Sequence, residues 1–394
     1  MYLLRQVDDF ALASPSEDIA KEIFQIIGEE LKFAKEDKIP LEYLGLLDDF
    51  NGVKVQQSAE NVVLSSEGYI ERVLRTHGWE TPSRADPSPN RCVPFSPDTL
   101  TQIYKDFDPQ WTENTPQFQE REHTKGFKYR SVLGELMYAY VTCRPDIGYH
   151  CTTLSKFANA PNLIHYDSLK SIAKYLRSTK SWGIVYTRPF PDPRLPTMTC
   201  PPIPAEKGLP SFPQPETPAQ LMGFVDAAHA NDLRNRRSTY GYSFTVCNGV
   251  VSYRSKTQAV TATSSTEAEF MAAVVCAKQA KYLRAVMYGL GFGQYEPTPI
   301  FEDNAAAILM INSRIPTERA RHIDIQHFAI QDWADNQEIR MRHIPGVINP
   351  PDNLSKPLGW VLLARHARRM MGHHAPTDGT APQSSLPMMP RRQN

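Results

Sequence analysis

Eleven of the chain's 33 prolines fall within residues 187–220, TRPFPDPRLPTMTCPPIPAEKGLPSFPQPETPAQ. Proline fixes φ and lacks an N–H, so this run can be neither helix nor sheet interior and is expected to be an extended, semi-rigid tether. The chain has 394 residues, more than the roughly 250 to 300 at which single cores stop growing. Two or three domains are expected, with the tether dividing two functional halves. Hydrophobic residues at 41% and charged residues at 22% are ordinary for a soluble fold.

Several classes are excluded early. The formal net charge is +0, so a polyanionic partner would need a local basic patch rather than a global field. Cys92, Cys143, Cys151, Cys200, Cys247 and Cys276 form no C-x-x-C pair and no cluster with histidine, which supports neither a zinc ribbon nor a disulfide framework and points to a reduced, intracellular compartment. Charges interrupt every apolar run well short of the roughly 20 residues of a membrane span. MYLLRQVDDFALAS, at the N-terminus, carries an arginine and two aspartates in its apolar stretch, unlike a signal peptide.

Before the tether, residues 1–82 have the pattern of an α/β unit, with a helix after Ser14 and another in SSEGYIERVLRTHGW, where Ile70, Val73 and Leu74 recur at helical spacing. Residues 83–125, rich in Pro, Ser and Asp, are expected to be a linker. A helical block follows over 126–186, in which Leu163, Tyr166, Leu169, Ile172, Ala173 and Leu176 share a face. Residues 372–394 have too little apolar content to fold alone and are expected to be a disordered tail.

Residues 221–371 follow the tether. LMGFVDAAHA is expected to be a strand; STYGYSFTVCNGVVSYRSK alternates and turns at Asn248-Gly249 as a type I′ hairpin; QAVTAT is expected to be a further strand. A long helix from SSTEAEFM, with Met271, Val274, Val275, Leu283, Val286, Met287 and Leu290 inward, leads to the strand TPIFEDN, short helices, the strand IRMRHIPG and a last helix containing PPDNLSKPLGW. Asp226 therefore ends the first strand, Glu267 lies in the first turn of the long helix, Asp303 ends the strand TPIFEDN and Asp352 opens the last helix. Acids at the ends of elements can meet at one sheet edge. Together they would repel unless cations neutralise them. Mg²⁺ is the natural choice, because it takes oxygen ligands and, as a pair of ions, can grip the attacking water and the leaving oxygen of a phosphodiester. Each acid also has a structural alternative. Ser264 or Thr266 with Glu267 or Glu269 would make a capping box, and Asp303 and Asp352 could cap helices. Asp226 is harder to place structurally, since strand interiors disfavour aspartate.

The segments FVDAAHAND…RRSTYGY, SYRSKTQAVTATSSTEAEFMA, IFEDNAAAI, ERARHIDIQHFAIQDW and NLSKPL occur in the order of the ribonuclease H domain of copia-type long-terminal-repeat retrotransposon polyproteins, which this region resembles over about residues 221–360. The resemblance implies a mixed five-stranded sheet with helices, with Asp226, Glu267, Asp303 and Asp352 on the family's metal-binding acids. Ala228 and His229 stand where an acid and an aromatic are frequent, and Pro351-Asp352 where alanine-aspartate is more usual. Arg236, Arg237, Ser238 and Lys256 would contact a nucleic-acid backbone, or else form a solvated hairpin face. His322, His327 and His343 match no zinc spacing and are expected to be structural.

The first half resembles the end of the palm, the thumb and the connection of the same family's reverse transcriptase. LLRQVDDFALAS would be the palm hairpin with paired Asp8 and Asp9, although Gln6 stands where tyrosine is usual; YLGLLDDFNGVKV, YRSVLGELMYAYVTCRPDIGYHCTTLSKF and HYDSLKSIAKYLRSTKSWGIVY follow. The implied fold class is thus α/β and α+β, a partial palm, thumb and connection followed by a ribonuclease H-like domain. Without fingers or a third polymerase aspartate, the chain is not expected to polymerise DNA alone. The expected function is hydrolysis of the RNA strand of RNA–DNA hybrids by two Mg²⁺ ions, with Mn²⁺ an alternative, in the cytoplasm, nucleus or a virus-like particle, alongside other polyprotein products and away from membranes. The alternative is a non-catalytic nucleic-acid-binding remnant.

Overall fold

The computed structural model describes residues 1–6, 9–30, 43–83, 92–105, 110, 112, 115–197, 208–312 and 324–373. A short hairpin of β1 (Tyr2–Gln6) and β2 (Asp9–Ala13) leads to α1 (Glu17–Glu30). A meander of β3 (Asp49–Phe50), β4 (Val53–Gln57) and β5 (Asn61–Ser65) precedes α2 (Glu67–Thr76). The helical block comprises α3 (Pro97–Lys105), α4 (Pro116–Lys125), α5 (Tyr129–Thr142), α6 (Gly148–Ser155) and α7 (Leu163–Ser178). From it β6 (Ile184–Thr187) returns to pair with β5, completing a four-stranded sheet.

Residues 83–125 are not only a linker. α3 and α4 lie within them, and Phe95, Ile103, Tyr104 and Phe118 are buried. Pro97 and Pro116, which suggest breaks in the sequence, instead open helices, where the missing N–H costs no hydrogen bond. The proline-rich stretch is likewise held down at both described ends. Arg188 N–H donates to Glu60 O (2.7 Å), Ala59 N–H donates to Pro196 O (2.9 Å), and Phe212 stacks on Phe224. Residues 374–394 of the expected tail lie outside the described residues.

The second sheet is mixed and five-stranded, as expected, in the order β11-β10-β7-β8-β9. β7 (Met222–Ala228), β8 (Thr239–Val246) and β9 (Gly249–Thr257) form the antiparallel part, and β10 (Thr298–Glu302) and β11 (Ile339–His343) run parallel to β7. The hairpin turn sits one residue earlier than expected. Val246 pairs with Gly249, and Cys247 and Asn248 carry the positive φ values of 51° and 68° that a type I′ turn demands. QAVTAT is not a strand. Gln258 N–H donates to Ser238 O and its side chain donates to Ala268 O, bending the chain into α8 (Ser265–Gly289).

α8 covers one face of this sheet through Ala268, Phe270, Ala272, Ala273, Cys276 and Ala280, all buried against Val225, Phe244 and Ile300. Val286 and Leu290, expected inward, are exposed at its end. Beyond β10, α9 (Ala305–Asn312) and α10 (Asp324–Asp335) lead to β11, and α11 (Asp352–Ser355) and α12 (Trp360–Met370) finish the fold. The two halves are interlocked rather than merely tethered. Leu358 and Leu363 belong to the apolar core of the helical block. Edge strand β9 is covered by it as well: Ser255 N–H donates to the Tyr140 hydroxyl (3.0 Å), and the Tyr253 hydroxyl donates to Tyr140 O (2.7 Å).

Candidate metal centre

Asp226 is 2% exposed near the end of β7. β10 pairs with β7 through Ile300↔Gly223 and Phe301↔Phe224, and extending that register by two residues brings Asp303 level with Asp226. Asp303 itself is spared for this position because Asn304 caps α9, its Oδ1 accepting from Ala306 N and Ala307 N. The third acid arrives from across the sheet edge. Asp226 pairs with Gly241 of β8, and a Cβ at Gly241 would stand 2.5 Å from Leu354 Cβ and 2.9 Å from Pro351 O. The bare glycine lets α11 lie on the strand and carry Asp352 to the site. One carboxylate oxygen each of Asp226, Asp303 and Asp352 lies within 4.8 Å of the others.

Glu267 does not join them. Ser264 Oγ accepts from Glu267 N (3.1 Å), and the Glu267 carboxylate accepts from Thr263 N (2.7 Å) and from the Thr263 hydroxyl, so this acid is engaged in capping α8. Glu269, two residues on, takes its place. It is 6% exposed and shares with Glu302 and Asp303 a second group of oxygens within 4.8 Å of one another. A signal for this existed in the sequence: Glu269 is at i, i+3, i+4 and i+7 spacing with Ala272, Ala273 and Cys276, the small residues that let α8 approach the sheet.

Ser355 and Lys356 were also missed as site residues. The Ser355 hydroxyl donates to Asp226 Oδ2. The Lys356 ammonium stands 2.8 Å from Asp352 Oδ1 and 3.8 Å from Asp226 Oδ2. The helical block reaches these supports, because Asn231 Nδ2 donates to Ser355 O (3.0 Å) and to the Tyr149 hydroxyl (3.4 Å). Beside Asn231, buried Asp232 is ion-paired with Lys156 of the block at 3.1 Å.

The electrostatics follow from crowding. Burial, then the charges of Asp226, Glu302 and Asp303, push Glu269 far above the usual carboxylate range. Burial raises Glu302, and burial with Asp226 raises Asp303. Asp352 is pushed up to about 8 by burial and Asp226, against the pull of Lys356. Burial alone would lower the Lys356 ammonium, but Asp226 and Asp352 outweigh it and hold its pKa above the ordinary value. Glu269 Oε2 and Glu302 Oε2 are buried and accept no hydrogen bond. Buried acids crowded in this way fit a hard divalent cation, which prefers oxygen ligands and supplies the missing positive charge.

The other expected site residues are dispersed. Arg236, Arg237 and Lys256 are exposed, the last across Tyr240 from the neighbour of Asp226. Ser238 is fully buried and its Oγ accepts from Ala230 N, a structural role that removes it from any nucleic-acid surface. Asp9 is exposed at the start of β2 and belongs to neither acid group, and Asp8 lies outside the described residues. His343 is exposed at the end of β11; His322 and the side chain of His327 lie outside the described residues.

No family model matches the chain. Among curated proteins it is similar to the retrovirus-related Pol polyprotein from transposon TNT 1-94 of Nicotiana tabacum, 28% identical over 315 residues that make up 79% of this chain and 20% of that one. The corresponding polyprotein from transposon RE1 of Arabidopsis thaliana is 24% identical over 358 residues, 91% of this chain and 21% of that one. Over most of its length the chain is similar to copia-type retrotransposon Pol polyproteins. It spans about a fifth of the length of these transposon relatives. The chain is also 35% identical over 159 residues to secreted RxLR effector protein 161 of Plasmopara viticola, covering 40% of this chain and 93% of that one. Among solved structures it is similar to LC11-RNase H1 in complex with an RNA/DNA hybrid, at 13% identity and a TM-score of 0.27, over 34% of this chain and 94% of that one. Among the described residues no helix is long and apolar enough to cross a membrane.

Proposed function

We propose that the chain is a ribonuclease H-type endonuclease that hydrolyses the RNA strand of RNA–DNA hybrids, with divalent cations held by Asp226, Glu269, Asp303 and Asp352. The observation that carries this reading is the convergence of acids from β7, α8, the end of β10 and α11 on one end of a mixed sheet, all buried except half-buried Asp303 and without enough positive charge to balance them. Similarity to copia-type retrotransposon Pol polyproteins over most of the chain supports it. When bound, two Mg²⁺ or Mn²⁺ ions supply an activated water and stabilise the leaving 3′ oxygen.

The chain's own residues do the rest. Ser355 orients Asp226 by donating to Oδ2, while Asn231 and Asn349, the latter donating to Val225 O, hold α11 and its preceding turn against β7. Lys356 offsets the charge of Asp226 and Asp352 until cations arrive. Arg236, Arg237 and Lys256 offer exposed charge to the phosphates, and selectivity for a hybrid would rest on its shape and 2′-hydroxyls rather than on base edges.

The test is cleavage of a labelled RNA–DNA hybrid with Mg²⁺ by the purified chain and by Asp303→Asn. Cleavage by the wild type that disappears in the variant is the expected result. A folded wild type that binds the hybrid and cuts nothing would replace this reading with the non-catalytic binding one.

A further inference from the structure

The acid cluster contains a carboxylate beyond the four that the proposed reaction uses. Glu302 closes β10, is 0% exposed, and by strand alternation shares the face of Ile300, the face that α8 covers and toward which Glu269 of α8 projects. Its Oε1 accepts from Asn304 N (3.0 Å), while its Oε2 accepts no hydrogen bond although it is buried. Glu269 Oε2 is in the same condition. A buried carboxylate oxygen left without a donor is expensive, and two of them facing one aspartate call for a cation.

The cluster divides into two triplets that share Asp303: Asp226, Asp303 and Asp352 on one side, Glu269, Glu302 and Asp303 on the other. The two differ in one respect. Among the described residues, the ion pairs made by the cluster go to Lys356, through Asp226 and Asp352. A cation entering the first triplet must displace that ammonium, and a cation entering the second displaces no side chain. Resting on the metal-dependent reading above, we infer that Glu302 is a metal ligand, forming with Glu269 and Asp303 a divalent-cation subsite that fills before the subsite flanked by Lys356.

Mn²⁺ binding to the full chain, without nucleic acid, tests this by titration calorimetry and by the paramagnetic resonance signal of free Mn²⁺. The wild type should bind two ions, one at least about tenfold tighter than the other. Glu302→Gln should weaken or remove the tighter ion by about tenfold or more. Lys356→Met should instead tighten the weaker ion and leave the tighter one unchanged. Glutamine is the isostere of a neutral glutamic acid, so if Glu302 is only a protonated structural group, Glu302→Gln will bind Mn²⁺ as the wild type does and the inference fails. If Glu302→Gln does not fold, as judged by circular dichroism, Lys356→Met decides alone: tightening of the first ion overturns the order of filling. Hybrid cleavage is assayed on the same samples. Loss of the tight Mn²⁺ site in a protein that never cuts a hybrid would sink the nuclease reading and leave the Glu302 subsite standing.

Discussion

Both halves of the molecule bury charge, and they treat it in opposite ways. In the helical block, Arg144 and Asp146 are both 0% exposed. Arg144 donates from Nε and Nη2 to the two oxygens of Asp146 and from Nη1 and Nη2 to Thr179 O and Oγ1, and the Tyr175 hydroxyl completes the set by donating to Asp146 Oδ2. Every charge there meets a partner of opposite sign or a dipole. At the end of the five-stranded sheet, acids from four elements meet one lysine. Burial by itself therefore does not mark a site; burial without compensation does.

The contrast can be broken at several points. Arg144→Met should leave Asp146 charged and unpaired, destabilising the fold by about 3 to 5 kcal/mol in urea unfolding. Asp303→Asn, which removes one of several like charges, should leave the ion-free protein at least as stable as the wild type. Equal losses in the two variants would mean that the acid cluster is as well compensated as the arginine network.

The two glutamates of α8 sharpen the same point. Glu269→Gln should weaken Mn²⁺ binding by about 10- to 100-fold, whereas Glu267→Gln should cost only about 1 kcal/mol through the helix cap and leave binding intact. Reversal of these effects would return the site to the assignment expected from sequence. Gly241→Ala tests how α11 is seated. The added Cβ meets Leu354 and Pro351 O, so a loss of about 1 to 3 kcal/mol is expected, with weaker metal binding because Asp352 moves away. Unchanged stability and binding would show that α11 yields without consequence.

The smallest effect is in pH. Folded-state pKa values raised above their ordinary range, as for Glu269, Glu302, Asp303 and Asp352, contribute stability that is full below the unfolded values and is lost as pH rises through the folded ones, about 8 for Asp352. The ion-free protein should therefore melt at a lower temperature at pH 8 than at pH 5, and added Mg²⁺ should recover more at pH 8. A melting temperature that rises over that interval, with no Mg²⁺ dependence, would contradict an uncompensated cluster.

Much of this was legible in the chain. Apolar period and turn residues marked β7, β8, β9, α8, β10 and β11 in order, and acids at the ends of elements pointed to Asp226, Asp303 and Asp352. Local composition misled where it stood for structure. Prolines in a stretch expected to be a linker open α3 and α4, and the two functional halves that the tether was expected to divide are locked together by Tyr140, Tyr253 and Leu363.

By itself, the sequence determined β7, β8, β9, α8, β10 and β11 and the acids at their ends, because those depend on local period, caps and turns, although it also marked QAVTAT as a strand and missed α3 and α4. Only the tertiary structure decided which acids meet. Glu267 and Glu269 lie about 200° apart around the helix axis, so the docking of α8 on the sheet turns one inward and leaves the other as a cap. The same docking brings Glu302 against Glu269, and the approach of α11 over Gly241 brings Ser355 and Lys356 to Asp226. These are contacts between distant parts of the chain, set by strand register and helix seating; the spacing of Glu269 with Ala272, Ala273 and Cys276 marks the face of α8 that docks but not what it docks against.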